Sequence, residues 1–160
     1  MFCMTQQPLV SPYLDKEIKM SQVIIYTQDN GTVSVIRPTD EALAIMTIEQ
    51  IAAKDVPAGM LFEIVDDSAI PTDRTFRNAW EHSNSAININ MPKAQDIAHD
   101  KRRAARSVEF APLDIKATIP SEAANAEAAR QVVRDKYSTI QLNIDSALSA
   151  SELKLIVEGL

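Results

Sequence analysis

The sequence predicts an α+β fold, in which a small N-terminal β-β-α-β module is followed by a C-terminal helical hairpin with a short closing helix. Three observations lead to it. Two β-branched runs flank an Asn-Gly pair near the N-terminus. An alanine-rich stretch near the C-terminus has high helix propensity, and Thr, Asn and Ser residues stand where helices could be capped. We therefore divide the 160 residues into a leader (1–20), a small α+β module (21–71) and a helical region (72–160).

The leader differs in character from the rest of the chain. It holds two prolines, no clear periodicity and Cys3, the only cysteine. Codons for Lys16 and Glu17 would read like a ribosome-binding site just before the codon for Met20. One hypothesis is therefore that the natural start is Met20. The alternative is an N-terminal arm that docks on a partner, and the intact mass of the protein made from its native gene separates the two.

The module is expected to begin with a β-hairpin. Its strands are 23–27 and 32–36, and Asn30-Gly31 favours a two-residue type I′ turn. That turn would pair Tyr26 with Val35 and Gln28 with Val33.

Two short helices and a third strand are expected after the hairpin. Thr39 or Asp40 caps the first helix, and Thr47 opens the second, over 48–54. The third strand covers 60–65. The expected buried side of the first helix consists of Leu43 and Met46, with Ala42 and Ile45 as further candidates.

Phe76 and Trp80 are four residues apart in the segment 74–81, for which we predict a short helix. Residues at this spacing share one helix face. The pair could line a ligand site, but we favour the interpretation that both rings pack this helix against the module.

A long helix is predicted from Met91 to about Phe110, with Asn90 as its N-cap and Pro112 as the residue that kinks or ends it. A very short strand is expected just before it, at 87–89. The expected apolar side of the helix is Met91, Ala94, Ile97, Ala98, Ala104, Ala105 and Val108.

Ser121 is the predicted cap of a second long helix, whose apolar pattern includes Ala126, Val132, Val133, Tyr137 and Ile140. Ser149 is the predicted cap of the last helix, with Glu152 completing a capping box.

Composition and motifs argue against several classes of function. The formal net charge is −6, whereas nucleic-acid-binding modules usually carry a basic surface. The one basic cluster is Lys101, Arg102, Arg103 and Arg106, which we interpret as internal salt-bridge partners or the rim of a contact. No apolar run approaches the roughly 20 residues of a membrane span. We therefore expect neither a nucleic-acid partner nor a membrane.

No arrangement of residues predicts a catalytic, cofactor or metal site. The three glycines are scattered, and His82 and His99 are not at metal-ligand spacing. Asp96, His99 and Asp100 form the most enzyme-like group, which we interpret as an exposed helix surface. Asp66-Asp67 is interpreted as a solvated turn rather than a cation site.

The C-terminal half, about 72–157, resembles small accessory proteins encoded among the tail genes of tailed bacteriophages, some of them tail assembly chaperones or tail fibre assembly proteins. The segments that carry this resemblance are 73–80 (DRTFRNAW), 91–94 (MPKA), 102–106 (RRAAR), Leu113-Asp114, Arg134-Asp135 and 150–153 (ASEL). Pro112 departs from the pattern, in which an unbroken helix is expected.

The resemblance implies a phage origin and a non-enzymatic role. We expect an interaction protein of the virion tail, either an assembly factor or a minor structural component, whose partner is a tail or virion protein. Phe76, Trp80, Arg102, Arg103 and Arg106 are the candidate interaction or packing residues. Self-association is left open, and the expected location is the host cytoplasm during assembly or the virion. The alternative is a phage-encoded regulator that binds and inhibits a host protein.

Overall fold

The computed structural model describes residues 21–160, so the predictions on the leader and Cys3 lie outside the described residues. The fold class is α+β, as predicted. A module with the order β-β-α-α-β and a separate two-stranded hairpin precede the helical hairpin and a short closing helix. The elements are β1 (Gln22–Thr27), β2 (Val33–Ile36), α1 (Asp40–Leu43), α2 (Ile48–Asp55), β3 (Phe62–Asp66), β4 (Trp80–Ser83), β5 (Ala86–Ile89), α3 (Met91–Ala117), α4 (Ala123–Ser146) and α5 (Ala150–Glu158).

The first three strands form an antiparallel sheet in the order β2-β1-β3. Successive side chains of β1 point to opposite faces of this sheet. Ile24 faces α2 and packs with Ile48 and Ile51. Val23 and Ile25 face the other way and pack against Trp80 and its hairpin. The central strand is therefore buried on both faces, which explains its uninterrupted apolar run.

The predicted type I′ turn is wrong, and the predicted pairing of β1 with β2 is shifted by one residue. Ile25 pairs with Val35 and Thr27 with Val33, and the loop closes with a hydrogen bond from Gln28 N to Thr32 O. Only Gly31 in this loop has positive φ, at 77°. Three-residue loops of this kind are a common alternative to type I′ turns. The observed register places Val33 on the same face as Val23 and Ile25, where all three are buried.

Thr39 and Thr47 cap the two short helices, as expected. The Thr47 hydroxyl accepts from Gln50 N, and the Gln50 side chain accepts from Thr47 N, which forms a capping box. The expected burial of Leu43 and Ile45 is wrong, because α1 is a single turn and Ile45 lies beyond its end, 84% exposed.

The helix predicted over 74–81 is absent. Residues Arg77–Ala79 form one 3-10 turn, and Trp80 begins β4, which pairs with β5 from Trp80–Ile89 to Ser83–Ala86. The turn between these strands is Asn84-Ser85, and both residues have positive φ, 53° and 58°. A second hairpin thus lies inside the range assigned to the helical region.

Helix α3 begins as predicted, since the Asn90 side chain accepts from Lys93 N and Pro92 lies in the first turn. The predicted end of this helix near Phe110 is wrong, because α3 continues through Pro112 to Ala117. Pro112 is exposed, so water can solvate the carbonyl that loses its helical donor. The expected burial of Val108 is also wrong, because it is 74% exposed.

Helix α4 begins at Ala123 with Glu122 as its N-cap and no side-chain cap, so the predicted role of Ser121 is wrong. Val133 and Tyr137 are buried, as expected, whereas Val132 is 68% exposed. Ser149 caps α5 by accepting from Glu152 N. The Glu152 carboxylate accepts from Leu148 N, not from Ser149 N, so the reciprocal half of the predicted capping box is displaced by one residue.

No helix in the range 21–160 is long and apolar enough to cross a membrane.

Candidate functional site: an arginine groove on the helical hairpin

In a helix, Phe76 and Trp80 would lie on the same face. In the structure they point into two different clusters. Trp80 packs with the sheet residues, and Phe76 packs with the first turns of α3 and the end of α4. Both are nearly fully buried, at 1% for Trp80 and 3% for Phe76. The 3-10 turn between them therefore lies at the boundary of two core clusters, and neither ring lines an open ligand site.

Arg102 and Arg103 are held by contacts within the chain. Arg102 Nη1 donates to the Tyr137 carbonyl at 3.2 Å, which connects α3 to α4. Arg103 pairs with Asp100, one turn earlier on α3. Arg103 thus has an ion-pair partner within the chain, whereas the partner of Arg102 is a backbone carbonyl and not a carboxylate.

Unlike Arg102 and Arg103, Arg106 has neither a hydrogen bond nor an ion pair of its side chain within residues 21–160. Its guanidinium lies 4.8 Å from the centroid of the Phe110 ring, one turn further along α3. Arg130 of α4 lies 5.9 Å from the same centroid. A guanidinium over an aromatic face is attracted by the ring quadrupole, so the ring of Phe110 helps to position two cations.

The arginines of the two helices line adjacent cavities. A cavity of about 480 Å³ is lined by Arg103, Arg106, Ser107, Phe110, Asp114, Arg130 and Arg134. A second cavity, of about 240 Å³, is lined by Arg102, Arg106, Arg134, Tyr137, Ser138 and Gln141. Arg106 and Arg134 line both cavities. We call these two cavities together the arginine groove.

Carboxylates of the same helices offset part of the positive charge of the groove. Glu127 contacts Arg134 at 2.8 Å and Arg130 at 3.0 Å, and Asp114 contacts Arg130 at 3.1 Å. The hydrogen bond from Arg134 and the charges of both arginines lower the pKa of Glu127. Arg102 and Arg106 are therefore the two arginines of the groove without a carboxylate partner in the described residues, and only the Arg102 side chain is held by a backbone carbonyl.

A hydrogen-bonded group fixes the two helices beside the groove. The Tyr137 hydroxyl donates to Glu109 Oε1 at 2.8 Å, and Lys136 Nζ contacts the same oxygen at 2.6 Å. These hydrogen bonds lower the pKa of Glu109. Burial, and then the hydrogen bond to Glu109, raise the pKa of Tyr137.

The residues of the enzyme-like group have other partners. His99 contacts Asp145 of α4 at 2.9 Å, and Asp100 pairs with Arg103, so the ion-pair partners of these two residues lie outside the group. His82 lies 3.3 Å from Glu63.

The two aspartates that were considered as cation ligands are used locally. Asp66 accepts from Ser68 N, and Asp67 pairs with Arg37. Among the described residues there is no group of three His, Cys, Asp or Glu side chains that could hold a metal ion.

Sequence reasoning found the α3 side of the groove and missed Phe110, Arg130 and Arg134 as parts of it. The signal was available in part, because 102/106 and 130/134 are both arginine pairs four residues apart and thus on one helix face. What the sequence lacked was the alignment of α3 against α4. Chemically, the groove suits a carboxylate, since the guanidinium fork binds carboxylates bidentately.

Comparison with protein-family models, with curated proteins and with solved structures finds no match to this chain.

Proposed function

We propose that this chain is a non-enzymatic interaction protein of a bacteriophage virion tail, an assembly factor or minor structural component that binds a tail or virion protein through its helical hairpin. The observation that carries the proposal is Arg106. It stands in the arginine groove without a carboxylate partner in the described residues, beside the ring of Phe110. An acidic segment of the partner would supply the missing carboxylate.

The resemblance to phage tail accessory proteins supports the phage part of the proposal, and several of its segments contact the helical region. Asp73 contacts Lys154 of α5 at 2.9 Å, and Asp114 contacts Arg130 of α4 at 3.1 Å. The segment 102–106 supplies three arginines of the groove. These short segments therefore contribute to the hairpin and its contacts rather than to separate parts of the chain.

The test combines mass spectrometry of purified phage particles with a pull-down from infected cells. A fixed copy number in mature particles supports a structural component, whereas recovery only in lysates with a bound tail protein supports an assembly factor. If the protein binds a host protein and no tail protein, the tail function is wrong and the host-directed regulator takes its place.

The role of the groove is tested in the same pull-down with Arg106→Gln. Hydrogen bonds to charged groups contribute about 1.5–3 kcal/mol, so we expect at least a roughly tenfold loss of partner binding. The matched control is Arg74→Gln, because Arg74 is exposed and its side chain has no ion pair in the described part of the chain. Equal effects of the two substitutions would show that overall charge, and not the groove, governs binding.

A further inference from the structure

The smaller cavity of the arginine groove, which we call the small cavity, has no carboxylate of the described residues in its lining. Its volume is about 240 Å³, and its lining residues are Arg102, Arg106, Arg134, Tyr137, Ser138 and Gln141. The larger cavity, by contrast, includes Asp114. Arg102 and Arg106 are one turn apart on α3, and Arg134 and Ser138 are one turn apart on α4. Two helices therefore present hydrogen-bond donors to the same space.

Two of the three arginines in this lining have no carboxylate partner among the described residues. The charge of Arg134 is offset by Glu127, which lies 2.8 Å from Arg134 Nη2. Arg102 is half-buried, its Nη1 donates to a backbone carbonyl, and its buried Nε has no hydrogen-bond partner. Arg106 is exposed and lies against the ring of Phe110. The small cavity therefore contains two positive charges that are not neutralised.

The unpaired charge of Arg102 indicates that an anion belongs in the small cavity. Removal of a charged group from water is unfavourable unless a counter-charge accompanies it. The chain has 22 acidic residues against 16 basic ones. Even so, the part of the fold that the structure describes places none of these carboxylates on Arg102 or Arg106. An anion from outside the chain would supply the missing negative charge.

The number of charges and donors fits a phosphate dianion better than a single carboxylate. A phosphoryl group carries about −1.5 to −2 at pH 7 and has three strong acceptor oxygens, so it can neutralise both arginines. A carboxylate carries one negative charge and neutralises one. The Ser138 hydroxyl and the Gln141 amide have no hydrogen-bond partner among residues 21–160 and are further donors. Arginine also binds phosphate oxygens bidentately.

We infer that the small cavity binds a phosphate dianion, either free inorganic phosphate or the phosphoryl group of a small phosphomonoester. Arg102 and Arg106 neutralise its charge, and Ser138 donates to one of its oxygens. Binding needs no partner protein, so the inference does not rest on the proposed function. Because Arg106 lines both cavities, a bound phosphate competes with the acidic segment of the partner for this guanidinium.

Nuclear magnetic resonance titration of the purified full chain, at constant ionic strength, tests the site. Inorganic phosphate should shift the side-chain Nε–H signals of Arg102 and Arg106 and the backbone signal of Ser138. The shifts should saturate with a dissociation constant on the order of 1 mM. The absence of saturation up to about 20 mM phosphate, or shifts spread over all exposed arginines, overturns the inference.

Substitutions test whether the small cavity, and not overall charge, binds the phosphate. Arg106→Gln should raise the phosphate dissociation constant at least about tenfold, because it removes a charge-assisted hydrogen bond. Ser138→Ala changes no charge and should raise it about threefold or more. The matched control is Arg74→Gln, because Arg74 is exposed and lies outside the groove. The dispersion of the backbone signals verifies that each variant is folded. Equal losses in Arg74→Gln and Arg106→Gln overturn the inference.

The choice of anion distinguishes the sources of the phosphate. Glycerol phosphate that binds as tightly as inorganic phosphate would show that the cavity accepts a phosphoryl group with its ester attached. Binding of inorganic phosphate alone would show a site for the free ion, and both results support a dianion site. Acetate that saturates the same signals at the same concentration would show a carboxylate site and overturn the inference.

Discussion

Asp73 and Lys154 form an ion pair of 2.9 Å that connects the segment before β4 to the last helix of the chain. The other carboxylate oxygen of Asp73 accepts from Thr75 N at 2.8 Å. Because the two residues are far apart in sequence, the pair ties the C-terminal helix to the segment that carries Phe76.

Asp73→Asn is expected to lower the stability of the fold at neutral pH. It should also make that stability depend less on pH below about pH 4. The hydrogen bond from Thr75, and then the contact with Lys154, hold the pKa of Asp73 well below its usual range. A carboxylate with a lowered pKa contributes stability above its ordinary pKa of 3.8, and this contribution is lost as pH falls further. Thermal unfolding between pH 2 and pH 7, with Asp96→Asn as the control, measures the effect. Parallel pH profiles for wild type and Asp73→Asn would contradict it.

Ser85→Gly is expected to stabilise the β4-β5 hairpin. Ser85 has φ of 58°, and the left-handed region costs a residue with a Cβ about 1–2 kcal/mol relative to glycine. Part of this gain is offset by the greater entropy of glycine in the unfolded chain. Urea unfolding should therefore show a gain of up to about 1 kcal/mol. Ser83→Gly, inside β4, is the control and should destabilise the fold.

Trp80→Ala should cost about 3–5 kcal/mol, the usual range for removal of a large aromatic side chain from a core. Trp80 is 1% exposed and contacts the sheet residues Val23 and Ile25. Chemical denaturation measures the loss, and Leu155→Ala, at a residue that is 71% exposed, should change stability by less than about 0.5 kcal/mol. Similar losses in the two variants would mean that Trp80 does not anchor the second hairpin.

Tyr137→Phe should destabilise the helical hairpin by about 1 kcal/mol, since it removes one hydrogen bond between α3 and α4. In the wild type, burial raises the pKa of Tyr137, so its ionisation should begin above the ordinary value of 10.0. The folded state then retains a proton that the unfolded state releases, and stability falls as pH rises above that value. Ultraviolet difference spectra from pH 9 upwards, with Tyr26→Phe as a comparison, identify the late-ionising group. If tyrosine ionisation well above pH 10 is still seen in Tyr137→Phe, the late-ionising group is not Tyr137.

Local signals predicted the ends of several elements. The Thr47 cap and the Asn90 cap each depend on residues within one helical turn. Their hydrogen bonds are decided by backbone and side chains that are adjacent in sequence, and the predictions were confirmed. The α+β class followed from the same kind of signal, because β-branched runs and alanine-rich runs have opposite propensities.

Where local signals gave the wrong structure, contacts between residues distant in sequence determined the observed one. Phe76 and Trp80 have helical spacing, but burial against two different clusters separates them and places Trp80 in a strand. The β1-β2 register shifted by one residue for a similar reason, since only the observed pairing buries Val33 with Val23 and Ile25.

By itself, the sequence determined that this chain forms an α+β module followed by a helical hairpin, and it identified Arg102, Arg103 and Arg106 as a basic cluster. The tertiary structure alone decided that Arg106 faces Arg134 across a groove, and that Val108 lies on an uncovered face of α3. Helix propensity and capping act within one turn of chain. Which sides of α3 and α4 contact each other is set by packing between residues about 30 positions apart. The periodicity of either helix alone does not specify that contact.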